Sequence, residues 1–302
     1  MALVTLLQLG AAHALHAPLF DSLRQSGGYV HPAVETVACK GRGTGLRIGK
    51  GFSIAQGEIV VGVPPALQLS WAAMAPTLGV APAVNQLLPD PEQWDMRLAI
   101  ALLEKEAAAK DSASFWSAYM ASLPMSVPGM PADFNDAQLR AAARTYPALP
   151  DSVNARKSFL RALSEQLDCA TPPLERAYAM VTSRAFRIDG DGAPGCMLPL
   201  IDLANHDFSP TGRLVRLGKP VGSLPAGTAA LVSTRPLAAA EELTITYAYV
   251  ANEQLLLDYG FEVANNPYNP GAAQQSSMAA SAELGGAAAA WALGRWSSRR
   301  VG

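Results

Sequence analysis

Three hydrogen-bonding side chains, Asp202, Asn205 and His206, close an otherwise apolar run that reads Pro199-Leu200-Ile201-Asp202-Leu203-Ala204-Asn205-His206. A carboxylate, an amide and an imidazole are costly to bury without partners, so they either line a site or cap a strand end through Asx-type hydrogen bonds. A second concentration of chemistry begins at Glu241-Glu242-Leu243-Thr244-Ile245-Thr246-Tyr247 and continues through Asn252 to Asp258-Tyr259-Gly260-Phe261 and Asn265-Asn266-Pro267. Tyr247 and Tyr259 flank a short helix, where a phenol serves equally as a hydrogen-bonding group or as an ordinary half-buried core residue. Gly41-x-Gly43-x-Gly45 has the spacing of a nucleotide-binding turn, but such a turn must open a helix. The residues that follow, Ile48-Gly49-Lys50-Gly51-Phe52, have no helical periodicity. No strand-helix alternation comes after them, which argues against a Rossmann-type site and leaves a plain glycine-rich turn. Cys39, Cys169 and Cys196 are far apart, no CxxC occurs, and His206 is separated from His13, His16 and His31. Spacing offers no metal-ligand cluster, and no metal is expected.

The elements that must position these groups are short strands around a helical block. β character covers Val34–Ala38 and Glu58–Val63, joined through the glycine-rich turn and closed by Pro64-Pro65. From about Pro91 to Phe186 the pattern becomes helical, with an alanine- and leucine-rich stretch at Arg97–Lys105 and with Trp116 and Tyr119 in the next segment. Prolines 124, 128, 131, 147 and 150 cut this block into pieces, and further helices are expected at Asp136–Arg144, Val153–Leu167 and Leu174–Phe186. β character returns from Cys196 to Tyr247, with a hairpin expected at Leu214–Val221. Asn252 then caps a helix running through Asp258, with Gly260 beyond its end. The fold class expected is α+β, a β-rich unit split in sequence by a helical insertion.

Composition narrows the partners. The 302 residues are 50% apolar and 16% charged, which describes a globular chain with a substantial core. A net charge of -2 provides no basic footprint, so nucleic acid is not an expected partner. Met1–Phe20 carries no formal charge and lacks the basic region of a secretory signal. Gln8, Gly10, His13 and His16 interrupt it as a membrane span, so no membrane partner is expected. An N-terminal helix and a targeting segment both remain open for residues 1–26. The odd, scattered cysteines are compatible with a reducing compartment. Beyond Pro270 the alanine-, glycine-, serine- and glutamine-rich text reads as a low-complexity tail.

Taken together, the Asn205-His206 strand end and the later Tyr247, Asn252 and Asp258-Tyr259-Gly260-Phe261 block resemble the SET-domain protein methyltransferases, in the subclass of the Rubisco large-subunit lysine methyltransferase. The likeness extends to Gly41–Arg47 with Gly57-Glu58 and Val63-Pro64, similar to that family's first cofactor loop and following strand. It also takes in Ser114-Phe115-Trp116 to Leu123-Pro124 and Thr182-Ser183-Arg184-Ala185-Phe186. The resemblance implies a SET-type β-fold of short strands with a knot-like C-terminal segment, interrupted by an α-helical insertion. The division it implies is an N-terminal segment 1–26, SET parts at 27–90 and 187–268 around an insertion at 91–186, and a tail at 269–302.

The same resemblance implies S-adenosylmethionine as cofactor, no metal, and methyl transfer to the lysine amine of a non-histone protein substrate. Gly45, Leu46, Arg47, Arg184, Asn205 and His206 would bind the cofactor, with Arg184 and Arg47 as partners for its carboxylate. Tyr247 would direct its hydroxyl at the methyl group and amine, orienting rather than abstracting. Phe186, Asp202 and Tyr259 would line the substrate channel. Histidine-directed members resemble Arg-Gln-Asn where this chain has Arg184-Ala185-Phe186, and an aromatic wall suits an alkyl chain, which favours lysine. A histidine methyltransferase and a catalytically silent SET-like binding module are the alternatives. Ala248 and Ala240 stand where relatives often carry glycine, and Ala248 is expected to crowd a turn if that turn needs positive φ. Relatives also carry a helical recognition domain after the Asn-Asn-Pro stretch, where this sequence has only the low-complexity tail. The sequence leaves open the substrate protein, the number of methyl groups, the oligomeric state and the compartment, whether chloroplast, cytoplasm or nucleus.

Overall fold

A computed structural model describes residues 16–110, 114–190 and 192–270. The tail from residue 271 and most of the N-terminal segment lie outside these, although residues 16–25 form a helix, α1. By contact, the described residues divide into two compact units. One takes those up to Met125 together with Leu163–Tyr247, and the other takes Ser126–Ala162 together with those from Ala248 onward. The insertion expected over 91–186 contributes to both.

In chain order, α1 is followed by β1 (Tyr29–Val30), β2 (Val34–Cys39), β3 (Gly43–Ile48) and β4 (Ile59–Val63). Short helices α2 (Trp71–Met74) and α3 (Ala81–Leu87) precede the long α4 (Trp94–Ala109) and α5 (Phe115–Ser122). α6 (Asp136–Ala142) and α7 (Leu149–Gln166) follow, then α8 (Thr171–Arg184). The remaining elements are β5 (Ala185–Phe186), β6 (Cys196–Met197), β7 (Asn205–His206), β8 (Gly212–Arg216), β9 (Ala229–Ser233), β10 (Glu242–Ile245) and α9 (Asn252–Tyr259). The strands form two four-stranded sheets, ordered β1-β4-β9-β8 and β2-β3-β10-β7, and a small β5-β6 pair. All pairings are antiparallel except β10 with β7, where Thr244 stands opposite Asn205 and Ile245 opposite His206.

Several expectations from sequence change in detail. The glycine-rich stretch is not simply a turn: Gly43 and Gly45 lie within β3, paired along its length with β2. Glycine has low strand propensity, so the element is concealed from local reading and is held by its neighbours. The hairpin expected at Leu214–Val221 is instead β8 and β9 with a long connection between them, because Leu217 and Gly227 extend the pairing through backbone bonds. Helices α7 and α8 start earlier than expected, since Pro150, Pro172 and Pro173 all fall in first turns, where a missing N–H costs nothing. Ser114 starts α5 through a capping box with Ser117.

The helical core of the first unit is the packing of α4 against α8. Leu98, Ala99, Ala101 and Leu102 are fully buried on α4, and Leu174, Ala177, Met180 and Val181 on α8. Buried Asp95 accepts a bond from the Tyr178 hydroxyl at 3.2 Å, satisfying a charge that would otherwise be expensive to bury.

The second unit is built on Leu149, Val153 and Leu256, with Phe134, Leu139, Ala142, Tyr146 and Leu257 packed against them. Asn252 does not cap α9 as expected. It is the first helical residue, and its side chain pairs with the Val263 backbone, accepting from N–H at 3.0 Å and donating to C=O at 2.9 Å. Asn266, 2% exposed, donates to Val250 O and to Asn252 Oδ1, so the asparagines stitch the segment after α9 back onto its start. Gly260 ends α9 in the left-handed region at φ 78°, where a Cβ would lie 2.6 Å from Pro128 O, so glycine is required there twice over.

Candidate active site

The parallel pairing of β10 with β7 brings the two chemical clusters together in the first unit. Tyr247, just past β10, is tied at both ends, once to β7 and once to the residue before it. Its backbone N–H donates to His206 Nδ1 at 3.1 Å, and its hydroxyl donates to the Ala204 carbonyl at 2.8 Å. The His206 ring lies 5.4 Å from the Tyr247 ring and 4.5 Å, edge-on, from Phe208. Burial holds the imidazole below its ordinary pKa, with Asp207 opposing, so it stays neutral and accepts at Nδ1. Burial also pushes the Tyr247 phenol up to about 12, and Arg184, Asp202, Arg42 and Glu242 all act on it. A phenol in that state is a hydrogen-bond donor and not a base at neutral pH.

Behind this pair stands a buried acid. Leu200, fully buried, adopts φ 74° and ψ -42°, a strained conformation for a bulky side chain, and turns the chain into the short Ile201–Leu203 helical turn. That turn delivers Asp202 inward, where Oδ2 accepts from the Tyr119 hydroxyl at 2.9 Å and lies 3.5 Å from Arg184 Nη1. Arg184, the last residue of α8, also donates to the Asp202 carbonyl at 3.1 Å. Burial raises the Asp202 carboxyl above the usual carboxylate range, while Arg184 and Tyr119 draw it back. Phe186, on β5, has its ring 6.4 Å from that of Tyr247.

In front, the β3–β10–β7 face carries an amide and a carboxylate. Asn205 Nδ2 donates to Glu242 Oε1 at 2.8 Å, and Arg42 pairs with Glu242 Oε2 at 2.6 Å. The Cys39 thiol donates to the same Oε1 at 3.4 Å and is pushed up to about 11 by burial and by Glu242, so it is no nucleophile. Gly45 faces this cluster without a side chain: a Cβ there would sit 2.6 Å from Asn205 Nδ2, 2.9 Å from Cys39 Sγ and 3.1 Å from Glu242 Oε1.

Thus Arg184, Phe186, Asp202, Asn205, His206, Gly45 and Tyr247 converge. Leu46, the next residue of β3, points to the opposite face and is fully buried in the core. Arg47 shares the Gly45 face, but its guanidinium turns across to Glu35 at 2.6 Å and lines a hollow of about 380 Å³ with Pro32, Lys50 and Phe52. Tyr259 belongs to the second unit, at the end of α9, its ring 6.1 Å from that of Phe261. Tyr119, Glu242, Cys39 and the Ala204 carbonyl were given no role by the sequence. Glu242, two residues before Thr244, lies on the Asn205 face, but only the pairing of β10 with β7 sets that register. Tyr119 carries no local signal either, since it meets Asp202 across 83 positions. Ala240, not Ala248, is the residue with positive φ, at 65°. The crowding expected at Ala248 therefore falls at an exposed turn ahead of β10.

No protein-family model matches this sequence, and no curated protein matches it. Solved structures do. The chain is similar to the SET domain of LSMT bound to lysine and AdoHcy, at a TM-score of 0.65 and 18% identity over 85% of this chain. It is similar to the same domain bound to MeLysine and AdoHcy, at 0.66 and 19% over 83%. It is also similar to Rubisco LSMT bound to AdoMet, at 0.64 and 17% over 84%. The match spans 57 to 58% of those chains. At this identity the likeness shows the fold: a mixed arrangement of short strands in small sheets with helices, of the SET-domain kind.

Proposed function

We propose that this chain is an S-adenosylmethionine-dependent methyltransferase acting on the lysine amine of a protein substrate. The observation that carries the reading is the convergence of Tyr247, Asn205, His206 and Arg184 at one place in a SET-type fold, from segments separated in sequence. The residues fit the cofactor. Gly45, bare of a side chain, lets Asn205 and Glu242 close directly on β3, and Arg184, the cation beside buried Asp202, is the partner we assign to a carboxylate. Arg47, whose guanidinium pairs with Glu35, is the second partner for that carboxylate on the family resemblance. Asn205 is assigned to the cofactor's amino group, the His206 backbone to its adenine, and the Leu46 backbone to the loop beside them.

When bound, the cofactor supplies a methyl group already activated by a sulfonium. The protein's part is then to position and desolvate, and good alignment alone can supply about 7–11 kcal/mol. Tyr247, protonated and anchored on Ala204, holds the reacting partners in line. A free lysine amine near pKa ~10.4 must lose its proton before attack, and an apolar wall favours the neutral form. Phe186, 8% exposed and beside Tyr247, supplies that wall, which supports lysine over histidine. Tyr259 as a second wall, the knot-like C-terminal segment and a non-histone target are carried on the family resemblance.

The test is to incubate the purified chain with radiolabelled cofactor and cell extract, and to identify the modified residue by mass spectrometry. Methyl-lysine is the expected product. Methyl-histidine would overturn the substrate reading, and absence of both labelling and cofactor binding would favour a silent binding module.

A further inference from the structure

Tyr119 is the largest fully buried side chain of the fold, 0% exposed, and it comes from α5 in the helical block rather than from the sheets. A core position of that kind is ordinarily filled by phenylalanine, because a buried hydroxyl must find a partner. Here the partner is Asp202 Oδ2, and Asp202 is itself almost sealed, its side chain 1% exposed and its Oδ1 without a hydrogen bond. The same Oδ2 faces the Arg184 guanidinium, and Arg184 Nη1 is fixed on the Asp202 carbonyl. One buried carboxylate thus joins a phenol on α5 to the guanidinium at the end of α8, whose side chain keeps 20% exposure.

We propose that Tyr119 is a positioning residue for the cofactor site: its hydroxyl fixes Asp202, and Asp202 fixes the Arg184 guanidinium that receives the cofactor's carboxylate. This rests on the assignment of Arg184 made above. Without the hydroxyl, Asp202 loses one of its two side-chain partners, and Arg184 alone sets the torsion of its carboxylate about Cβ–Cγ. Arg184 then keeps its bond to the Asp202 carbonyl and an ion pair whose geometry no third group fixes. An arginine's advantage for a carboxylate is the fixed geometry of its fork, and that geometry is what is lost. The role is specific to the carboxylate end of the ligand, which separates it from general core packing.

The experiment is calorimetric binding of S-adenosylmethionine and of its decarboxylated analogue to the wild-type chain, Tyr119→Phe and Asp202→Asn, with melting curves to establish folding. Wild type is expected to prefer S-adenosylmethionine. Tyr119→Phe should weaken S-adenosylmethionine about five- to tenfold, on the scale of one ordinary hydrogen bond, while the analogue changes less than about twofold. Asp202→Asn should produce the same selective loss and carries the test if the first variant does not fold. An unchanged ratio of the two affinities in folded Tyr119→Phe, or in Asp202→Asn, overturns the role of Tyr119 and leaves the site assignment standing. A wild-type chain that binds both ligands equally, or neither, overturns the Arg184 assignment and the inference with it.

Discussion

Gly45→Ala subjects the front of the site to its most direct test. The added Cβ would lie 2.6 Å from Asn205 Nδ2, 2.9 Å from Cys39 Sγ and 3.1 Å from Glu242 Oε1, all closer than ordinary contact. Asn205 and Glu242 are held together at 2.8 Å, and Glu242 is held again by Arg42, so the amide cannot withdraw without breaking its bond to the carboxylate. Loss of a hydrogen bond to a charged group costs about 1.5–3 kcal/mol. At about 2–4 °C per kcal/mol for a domain of this size, the melting temperature should fall by roughly 3–12 °C. Cofactor affinity should fall by at least about tenfold, because Asn205, the residue assigned to the cofactor's amino group, is displaced. Gly218→Ala is the control: it sits in an exposed turn with nothing near its Cβ, and should stay within about 0.5 kcal/mol of wild type. Differential scanning calorimetry and titration calorimetry read both quantities. A Gly45→Ala chain with wild-type melting temperature and wild-type affinity would refute the geometry at β3 and the placement of the cofactor against it.

Three further outcomes follow from the same geometry. Tyr247→Phe should slow methyl transfer by an order of magnitude or more with cofactor affinity nearly intact. It also leaves the Ala204 carbonyl unpaired at a cost of about 1–3 kcal/mol in stability, and single-turnover kinetics beside a melting curve separate the two effects. Ala240→Gly relieves a left-handed alanine at about 1–2 kcal/mol, offset by about 0.5–1 kcal/mol of glycine entropy, so a net gain of up to about 1.5 kcal/mol is expected, read as a small rise in melting temperature. His206 has its folded-state pKa lowered, so its contribution is present above the unfolded value near 6.5 and is lost as pH falls through the lower folded value. Melting temperature should therefore drop between pH 7.5 and 5, and His206→Asn should flatten part of that slope.

What could be read from the sequence was what is local. Asn205-His206 and the approach to Tyr247 are short runs whose chemistry stands out against apolar neighbours, and the helices announce themselves by periodicity. Strand β3 was concealed because its glycines are poor strand formers held by partners on both sides. Asn252 looked like a helix cap, yet its side chain is engaged by Val263, a contact that only the return of the chain after α9 creates. Tyr119 and Glu242 acquire roles through pairings far away in sequence, and no window-based pattern encodes these. Of the two alanines that stand where relatives often carry glycine, Ala240 takes the positive φ, because the turn that needs it precedes β10.

The double anchoring of Tyr247 has a mechanical implication. Its amide rests on residue 206 and its tip on residue 204, so the aromatic lever and the strand end form one truss with two fasteners. Side-chain libration that would blur the reach of the hydroxyl is damped at both ends. An engineer wishing to enlarge the acceptor space would have to translate the whole truss, since trimming the lever alone discards its bearing on Ala204.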